Sequence, residues 1–444
     1  MTIKRLLKRL LPSRIWKVPS KLKLLLHRFE ILNILPRYQK KALKKLKSKK
    51  RIKCVFLALF NNNWKYDKLY QIMLKDDRFE PVILVCPIVN YGRKNMIKRM
   101  NDCFTYFKSK GYHPIKSYSE DTDTYIDLIR DLNPDIIFYT NPYKGLIDDR
   151  YYIDRFPQKL TVYVPYSMQE GKDDDAKYNQ NFHNRLWRYY TISDLHKQYS
   201  QRLAMNRGRN VFVTGYPGIE YLIDKGYKPS TDCWKIESDK LKKIIWAPHH
   251  TLEATGNINY STFLQYCDFM LKMVEKYKDL VQWVFKPHPL LINKLYLLWG
   301  KEKTDEYYSK WVDGENTNYV DGDYIDLFLT SDAIIHDSGS FLAEYLYIGK
   351  PAMRPMKKGI KLEDTYSSFG LSCIDHYYKA YNGQDIENFI KMVIAGEDPM
   401  KEQRTKFVKE FLMPKQGMPS ENILNDINDS VEHQRVFARS WQNQ

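Results

Sequence analysis

Residues 243–289 read KIIWAPHHTLEATGNINYSTFLQYCDFMLKMVEKYKDLVQWVFKPHP. KIIWAP (243–248) is a short apolar run that ends at Pro248, since proline biases its predecessor toward extended geometry and donates no ladder hydrogen bond. Ser261 to Lys278 reads as a helix, and VQWVFKP (281–287) as a second apolar run. Strands apolar on both faces and separated by a helix describe a parallel sheet covered on both sides. The alternation continues through SDAIIHD (331–337) as a strand, Phe341 to Ile348 as a helix and KPAMRP (350–355) as a short strand. Helices are expected over Ile386–Ile394, Glu402–Leu412 and Ser420–Val431.

Upstream the same grammar recurs. RIKCVFLALF (51–60), PVILVCPI (81–88), NPDIIFYT (133–140), LTVYVPY (160–166), RYYTIS (188–193) and NVFVTGYP (210–217) are strand-like. Helices are expected over Trp64–Lys75, Arg93–Lys110 and Thr122–Leu132. The expected organisation is a basic amphipathic arm (1–50), a first Rossmann-like domain (51–220) and a polar linker (221–242). A second Rossmann-like domain (243–400) and C-terminal helices (401–444) complete it. This is an α/β chain of GT-B type.

The chain has 444 residues and a formal net charge of +18. Residues 1–53 hold nineteen of the 71 Lys and Arg but one of the 53 acids, Glu30, so this segment carries the whole excess and the rest of the chain is neutral. In the arm, Ile3, Leu6, Leu7, Leu10 and Leu11 share one helical face. Leu22–Leu32 and the stretch Tyr38, Ala42, Leu43, Leu46 follow after prolines. Basic arms bind nucleic acid as well, but phosphate binding needs no leucine-rich face, so an anionic membrane surface is the expected partner and nucleic acid is not. The arm has no continuous apolar core or cleavage site of a secretory signal, and no apolar run reaches the roughly 18 residues of a membrane span. The six cysteines are scattered without a CxxC pair, as expected for free thiols in a reducing compartment.

In an open parallel sheet, ligands bind beyond the carboxyl ends of the strands. Three such ends here carry polar residues. His249 and His250 follow Pro248, and strand alternation predicts that one of them faces the cleft. His288 is pinned between Pro287 and Pro289, which reduces the entropy lost in aiming its ring, and Lys286 adds a cation. His336-Asp337 precedes Ser338-Gly339-Ser340, which the pattern makes an N-cap whose free N–H groups suit a phosphate. Glu344, one turn into that expected helix, suits a ribose hydroxyl. Neither half contains GxGxxG, a P-loop, a nucleophile elbow or HExxH, which removes the main support for dinucleotide oxidoreduction and P-loop hydrolysis.

APHH (247–250), KPHP (286–289), SDAIIHDSGSFLAEYLYIGKP (331–351) and QGMPSENILNDI (416–427), in this order, resemble the CDP-glycerol glycerophosphotransferase family of teichoic-acid primases and polymerases. The resemblance covers about residues 240–430. It implies a GT-B fold, a peripheral place on the inner face of the bacterial membrane, and a lipid-linked or glycan acceptor. The family's motif histidine corresponds to His288, and its serine-rich turn to Ser338 and Ser340 after Asp337. Two positions depart from the family. Its His-Gly-Thr-Pro segment is VYVPYSMQEG (162–171) here, with Pro165-Tyr166 and no histidine. Its Ala-Pro-Thr-aromatic-Arg is Ala247-Pro248-His249-His250-Thr251.

The expected reaction is attack of an acceptor hydroxyl on the β-phosphorus of CDP-glycerol with departure of CMP. His288 and Lys286 would neutralise the leaving phosphate, and the Ser338–Ser340 turn with Asp337 and Glu344 would hold the donor. His249 or His250 would act as base, and Tyr166 would line the acceptor side. No DxD-like acidic pair stands at the expected place, so neither a metal nor a cofactor is expected. The alternatives are a GT-B nucleotide-sugar glycosyltransferase of capsule or cell-wall synthesis, and a catalytically inactive membrane-bound scaffold.

Overall fold

The computed structural model describes residues 20–90, 92–172, 175–253 and 259–437; the amphipathic segment expected over 1–11 lies outside them. In the first half the apolar runs become β1 (Ile52–Ala58), β2 (Phe79–Val85) and β3 (Ile115–Lys116), a separate hairpin of β4 (Tyr118–Ser119) and β5 (Thr124–Tyr125), then β6 (Ile136–Tyr139), β7 (Leu160–Tyr163), β8 (Arg188–Thr191) and β9 (Val211–Val213). Seven of them form a parallel sheet in the order β3-β2-β1-β6-β7-β8-β9. The second half supplies β10 (Lys242–Ala247), β11 (Val281–Phe285), β12 (Thr317–Tyr319), β13 (Ala333–His336), β14 (Ala352–Pro355) and β15 (Tyr378–Ala380). These six are parallel in the order β12-β11-β10-β13-β14-β15. The fold is α/β with two parallel Rossmann-like sheets, GT-B-like in class.

The chain divides into two compact units. The first takes Met1–Tyr166, Asp174–Gly218 and Pro414–Gln444; the second takes Ser167–Asp173 and Ile219–Met413. The C-terminal residues expected as one helical tail are thus shared, with helix Lys401–Phe407 in the second unit and helix Pro419–Glu432 in the first. In the second unit the core is aromatic: Trp246, Phe263, Phe285 and Trp311 are buried, with Phe285 stacked on Trp311 at 4.8 Å. That packing fixes β10 beside β11 and β13, and strand order reverses about β10. Such a reversal opens a crevice at the carboxyl edge.

Three expected elements differ. The Phe341–Ile348 helix is a run of turns ending in the 3-10 turn Tyr345–Ile348. The buried Tyr377 hydroxyl donates to the Leu342 carbonyl at 2.9 Å, the acceptor a helix would have used. The Thr122–Leu132 helix is the hairpin strand β5 and one π turn, Leu128–Leu132, whose first N–H groups are taken by the Asp127 carboxylate.

The arm differs most. Residues 20–47 run as helix Ser20–Phe29, π turn Glu30–Ile34 and helix Leu35–Lys47 without a break at Pro36; the π turn rearranges the ladder just where proline lacks its N–H. Leu35, Leu43 and Leu46 are buried, and their helix packs against β7 and helix Pro419–Glu432. Glu30 pairs with Arg185 at 3.0 Å. This face of the arm therefore belongs to the core of the first unit, and among the described residues of the arm the exposed large apolar side chains are Leu22, Leu24, Leu25 and Phe29. None of the six cysteines is paired.

Candidate functional site

The carboxyl ends of β10, β11 and β13 are stitched together by backbone and carboxylate. His288 N–H donates to Pro248 O at 2.9 Å, laying KPHP alongside APHH. His249 N–H donates to Asp337 Oδ1 at 2.6 Å, and Asp337 Oδ2 accepts from Thr262 N (2.5 Å) and Thr262 Oγ1 (2.7 Å). Asp337 is thus a buried clamp between β13 and the 249–262 loop, with three donors spent on it. Burial pushes its carboxyl pKa up, and the Thr262 and His249 bonds oppose the shift.

Three imidazoles converge there. Ring centroids are 4.3 Å apart for His249–His250, 4.9 Å for His249–His288 and 4.2 Å for His250–His288. Both residues of the histidine pair join His288, where strand alternation predicts one. The strand stops at Ala247, and a turn closed by Leu252 N–H on His250 O replaces the pleat. Burial is the first cause of each ring's lowered pKa: to about 2 for His249 and about 4 for His288, with His250 also lowered. All three are neutral at pH 7.

Their tautomers follow from hydrogen-bond accounting. The Thr251 hydroxyl oxygen accepts from Tyr260 N (3.0 Å) and Ser261 N (3.3 Å), so its own proton goes to His249 Nδ1 at 3.0 Å. Leu290 N donates to His288 Nδ1 at 3.2 Å. Each ring therefore carries its proton on Nε2. His250 Nδ1 is buried without a hydrogen-bond partner. One ligand nitrogen from each ring lies within 4.8 Å of the others, and three neutral imidazoles are a zinc-type donor set. Ligation through Nε2 of His249 and His288 would need both fixed protons moved. As built, His249 and His288 offer N–H donors, which suit an anion.

The other expected residues are placed as follows. Lys286 is buried, and its ammonium donates to Gly322 O at 2.7 Å; burial pushes its pKa down to about 8 against the pull of Asp321 and Asp323. Glu344 is buried and hydrogen-bonded with the Tyr324 hydroxyl. Ser338 Oγ accepts from Ser340 N at 3.2 Å, and Ser340 is exposed. With no helix behind it, this turn has no helix N-terminus to offer a phosphate. Gly339 faces the Tyr260 ring, which a Cβ would meet at 3.5 Å, and Tyr260 lies 5.1 Å from His249. The ring thus joins the turn to the histidines. Tyr166 belongs to the first unit, its hydroxyl 3.2 Å from that of Tyr143.

No protein-family model matches this chain, and no curated protein matches it. Solved structures match its fold. The Staphylococcus aureus MnaA–UDP complex is 14% identical, with a TM-score of 0.55 over 88% of this chain and 99% of that one. The Neisseria meningitidis UDP-GlcNAc 2-epimerase bound to UDP-GlcNAc is 13% identical, with 0.53 over 85% and 100%. The wall teichoic acid polymerase TagF, in a variant form, is 14% identical, with 0.53 over 90% and 96%. These likenesses carry the fold and no further.

Two features escape sequence reading. Residues 167–171 of VYVPYSMQEG, with Lys172 after them, belong to the second unit: Glu170 O accepts from Ser367 N and Ser367 Oγ, and Gly171 bridges Tyr366. Gly370 is required there, since a Cβ would stand 2.2 Å from Glu170 O. The other is Arg354, buried on β14 beside the Ser338 turn; a lone arginine in a short strand gives no pattern to find.

Proposed function

We propose that this chain transfers glycerol phosphate, or a related polyol or sugar phosphate, from a CDP-activated donor to a hydroxyl of a lipid-linked or glycan acceptor, releasing CMP. The observation that supports this best is the gathering of His249, His250 and His288 at one sheet edge, two of them fixed as N–H donors. Phosphoryl-type transfer needs in-line positioning and charge stabilisation more than covalent help. The acceptor oxygen bonds to the β-phosphorus as the bond to the bridging oxygen breaks, and CMP leaves with that oxygen. His249 and His288 donate to the phosphate oxygens. His250 is the base that takes the acceptor proton, through Nε2, because its Nδ1 is sealed from an acceptor. Lys286, Asp337 and Glu344 position these elements from within the unit, and Tyr166 is kept as an acceptor-side residue. The shared fold with TagF is compatible with this reading.

The second reading, favoured by the likeness to UDP-bound 2-epimerases, is chemistry on a nucleotide sugar. Incubation with CDP-glycerol, CDP-ribitol and UDP-sugars in the presence of bacterial membrane lipids separates them. CMP release supports the proposal. A released nucleoside diphosphate supports glycosyl transfer, and turnover of no donor supports the inactive scaffold.

The proposal places the chain at the inner face of the membrane through its arm. No helix among the described residues is long and apolar enough to cross one. Leu22, Leu24, Leu25 and Phe29, with Lys21, Lys23 and Arg28 on the same helix, form a basic amphipathic surface suited to lying on anionic lipid. Deletion of residues 1–29, or Leu24→Glu with Leu25→Glu, is expected to move the protein to the supernatant in flotation with anionic vesicles, and raised salt to do so in part. Continued flotation of the deletion variant would remove the arm as anchor. Deleting through residue 47 is a poorer test, because it strips Leu35, Leu43 and Leu46 from the first unit's core.

A further inference from the structure

Arg354 is 3% exposed at the carboxyl half of β14. One Nη donates to Ser338 O at 3.3 Å and the other to Tyr366 Oη at 2.5 Å. Its Cζ lies 5.1 Å from the Tyr366 ring and 5.9 Å from the Tyr260 ring, and these two rings stack at 5.4 Å. No carboxylate among the described residues stands within ion-pair distance of it. The acid that feels its charge, Asp337, spends both oxygens on His249 and Thr262. A buried guanidinium is ordinarily paired, because desolvating an isolated charge is expensive. Here the protein supplies a carbonyl, a hydroxyl and two aromatic faces, but no contact counterion; the buried acids Asp337 and Glu170 stand at longer range around the same rings.

The surroundings say what that counterion is. The turn Ser338-Gly339-Ser340 sits over Arg354, held by the Ser338 carbonyl, and has no helix dipole of its own. Lys286 is spent on Gly322, and His249 and His288 are neutral. Lys357 at the same edge is held by Asn259 Oδ1 at 2.6 Å. A diphosphate arriving at this edge would find two neutral donors, two ammonium groups each tied to one neutral oxygen, and one dry, preorganised guanidinium. A guanidinium fork matches phosphate oxygens in a way a point charge does not.

We propose that Arg354 is the cation that receives the diphosphate of the nucleotide donor at the Ser338–Ser340 turn. The assignment rests on the donor reading given above and adds a residue to it. Tyr366 is a positioning residue, since its hydroxyl holds the guanidinium.

Titration calorimetry of the full chain with inorganic pyrophosphate and with CDP tests this. Arg354→Met is expected to weaken both by about tenfold to a hundredfold, the range for hydrogen bonds to a charged group. Arg354→Lys, which keeps the charge and loses the fork, should fall between, and Tyr366→Phe should lose severalfold. If circular dichroism shows Arg354→Met unfolded, the other two variants decide. Wild-type affinity for pyrophosphate in every folded variant overturns the assignment, as does a wild-type protein that binds no pyrophosphate. The donor reading fails separately. Pyrophosphate binding lost with Arg354 in a protein that turns over no CDP-activated donor keeps the arginine and discards the transfer. Turnover of the donor with unchanged constants in Arg354→Met does the reverse.

Discussion

His288→Ala is expected to lower kcat for transfer by about 10²–10³, the usual cost of removing one preorganised donor from a site where charge develops. The fold should barely register the change. The half-buried ring accepts a backbone hydrogen bond from Leu290 N, worth about 1 kcal/mol, or a few degrees in Tm for a unit of this size. His288→Gln separates the two ways the ring could act. An amide N–H in place of Nε2–H keeps a neutral donor, so part of the rate should return. A protonated imidazole acting by charge or as an acid would leave Gln as inactive as Ala. The pH profile gives the same distinction. Burial first, then His250 and Lys286, push the His288 pKa down to about 4, so the ring gains charge only near and below that value. Between about pH 6 and 8 the rate should show no inflection that vanishes in His288→Gln. Such an inflection would overturn the neutral-donor assignment, and full activity in His288→Ala would remove the residue from the mechanism.

What could be read from the chain alone divides by physical cause. KIIWAP and VQWVF were legible because a strand buried on both faces leaves an unbroken apolar run. His288 was legible because two prolines fix its backbone without help from elsewhere. The meeting of His249 with His250 was not, since alternation applies only while the pleat lasts and it ends at Ala247. The helix expected over 341–348 fails for a non-local reason: Tyr377 takes the Leu342 carbonyl from a distant turn. The arm shows an ambiguity that sequence cannot resolve. Leu22–Phe29 and Leu35–Leu46 have the same amphipathic, basic character, yet one face is exposed and the other is buried core, because an apolar stripe does not say what will cover it. Arg354 and the 167–172 segment come from tertiary contacts alone.

Arg188→Leu is expected to be the most destabilising single change outside the candidate site. The side chain is 0% exposed on β8. Its Nε donates to Asp426 Oδ2 at 2.7 Å, its Nη atoms to Ser430 Oγ (2.7 Å), Val436 O (2.8 Å), Arg435 O (3.1 Å) and Trp187 O (3.2 Å). Tyr190 Oη adds a bond to Asp426 at 2.8 Å. One guanidinium thus fastens helix Pro419–Glu432 and the segment after it to the first sheet. Leucine would leave the Asp426 side chain buried and short of its partner, and several carbonyls without donors. Removing one partner of such a pair costs about 3–5 kcal/mol. Urea unfolding of the first unit should show that loss, and Arg188→Leu with Asp426→Leu should recover much of it, since two apolar groups leave no orphaned charge. A loss below about 1 kcal/mol would mean that water reaches the pair and screens it. Pyrophosphate affinity gives an independent control: its proposed ligands all lie in the second unit, so under native conditions Arg188→Leu should leave it unchanged while the stability of the first unit falls.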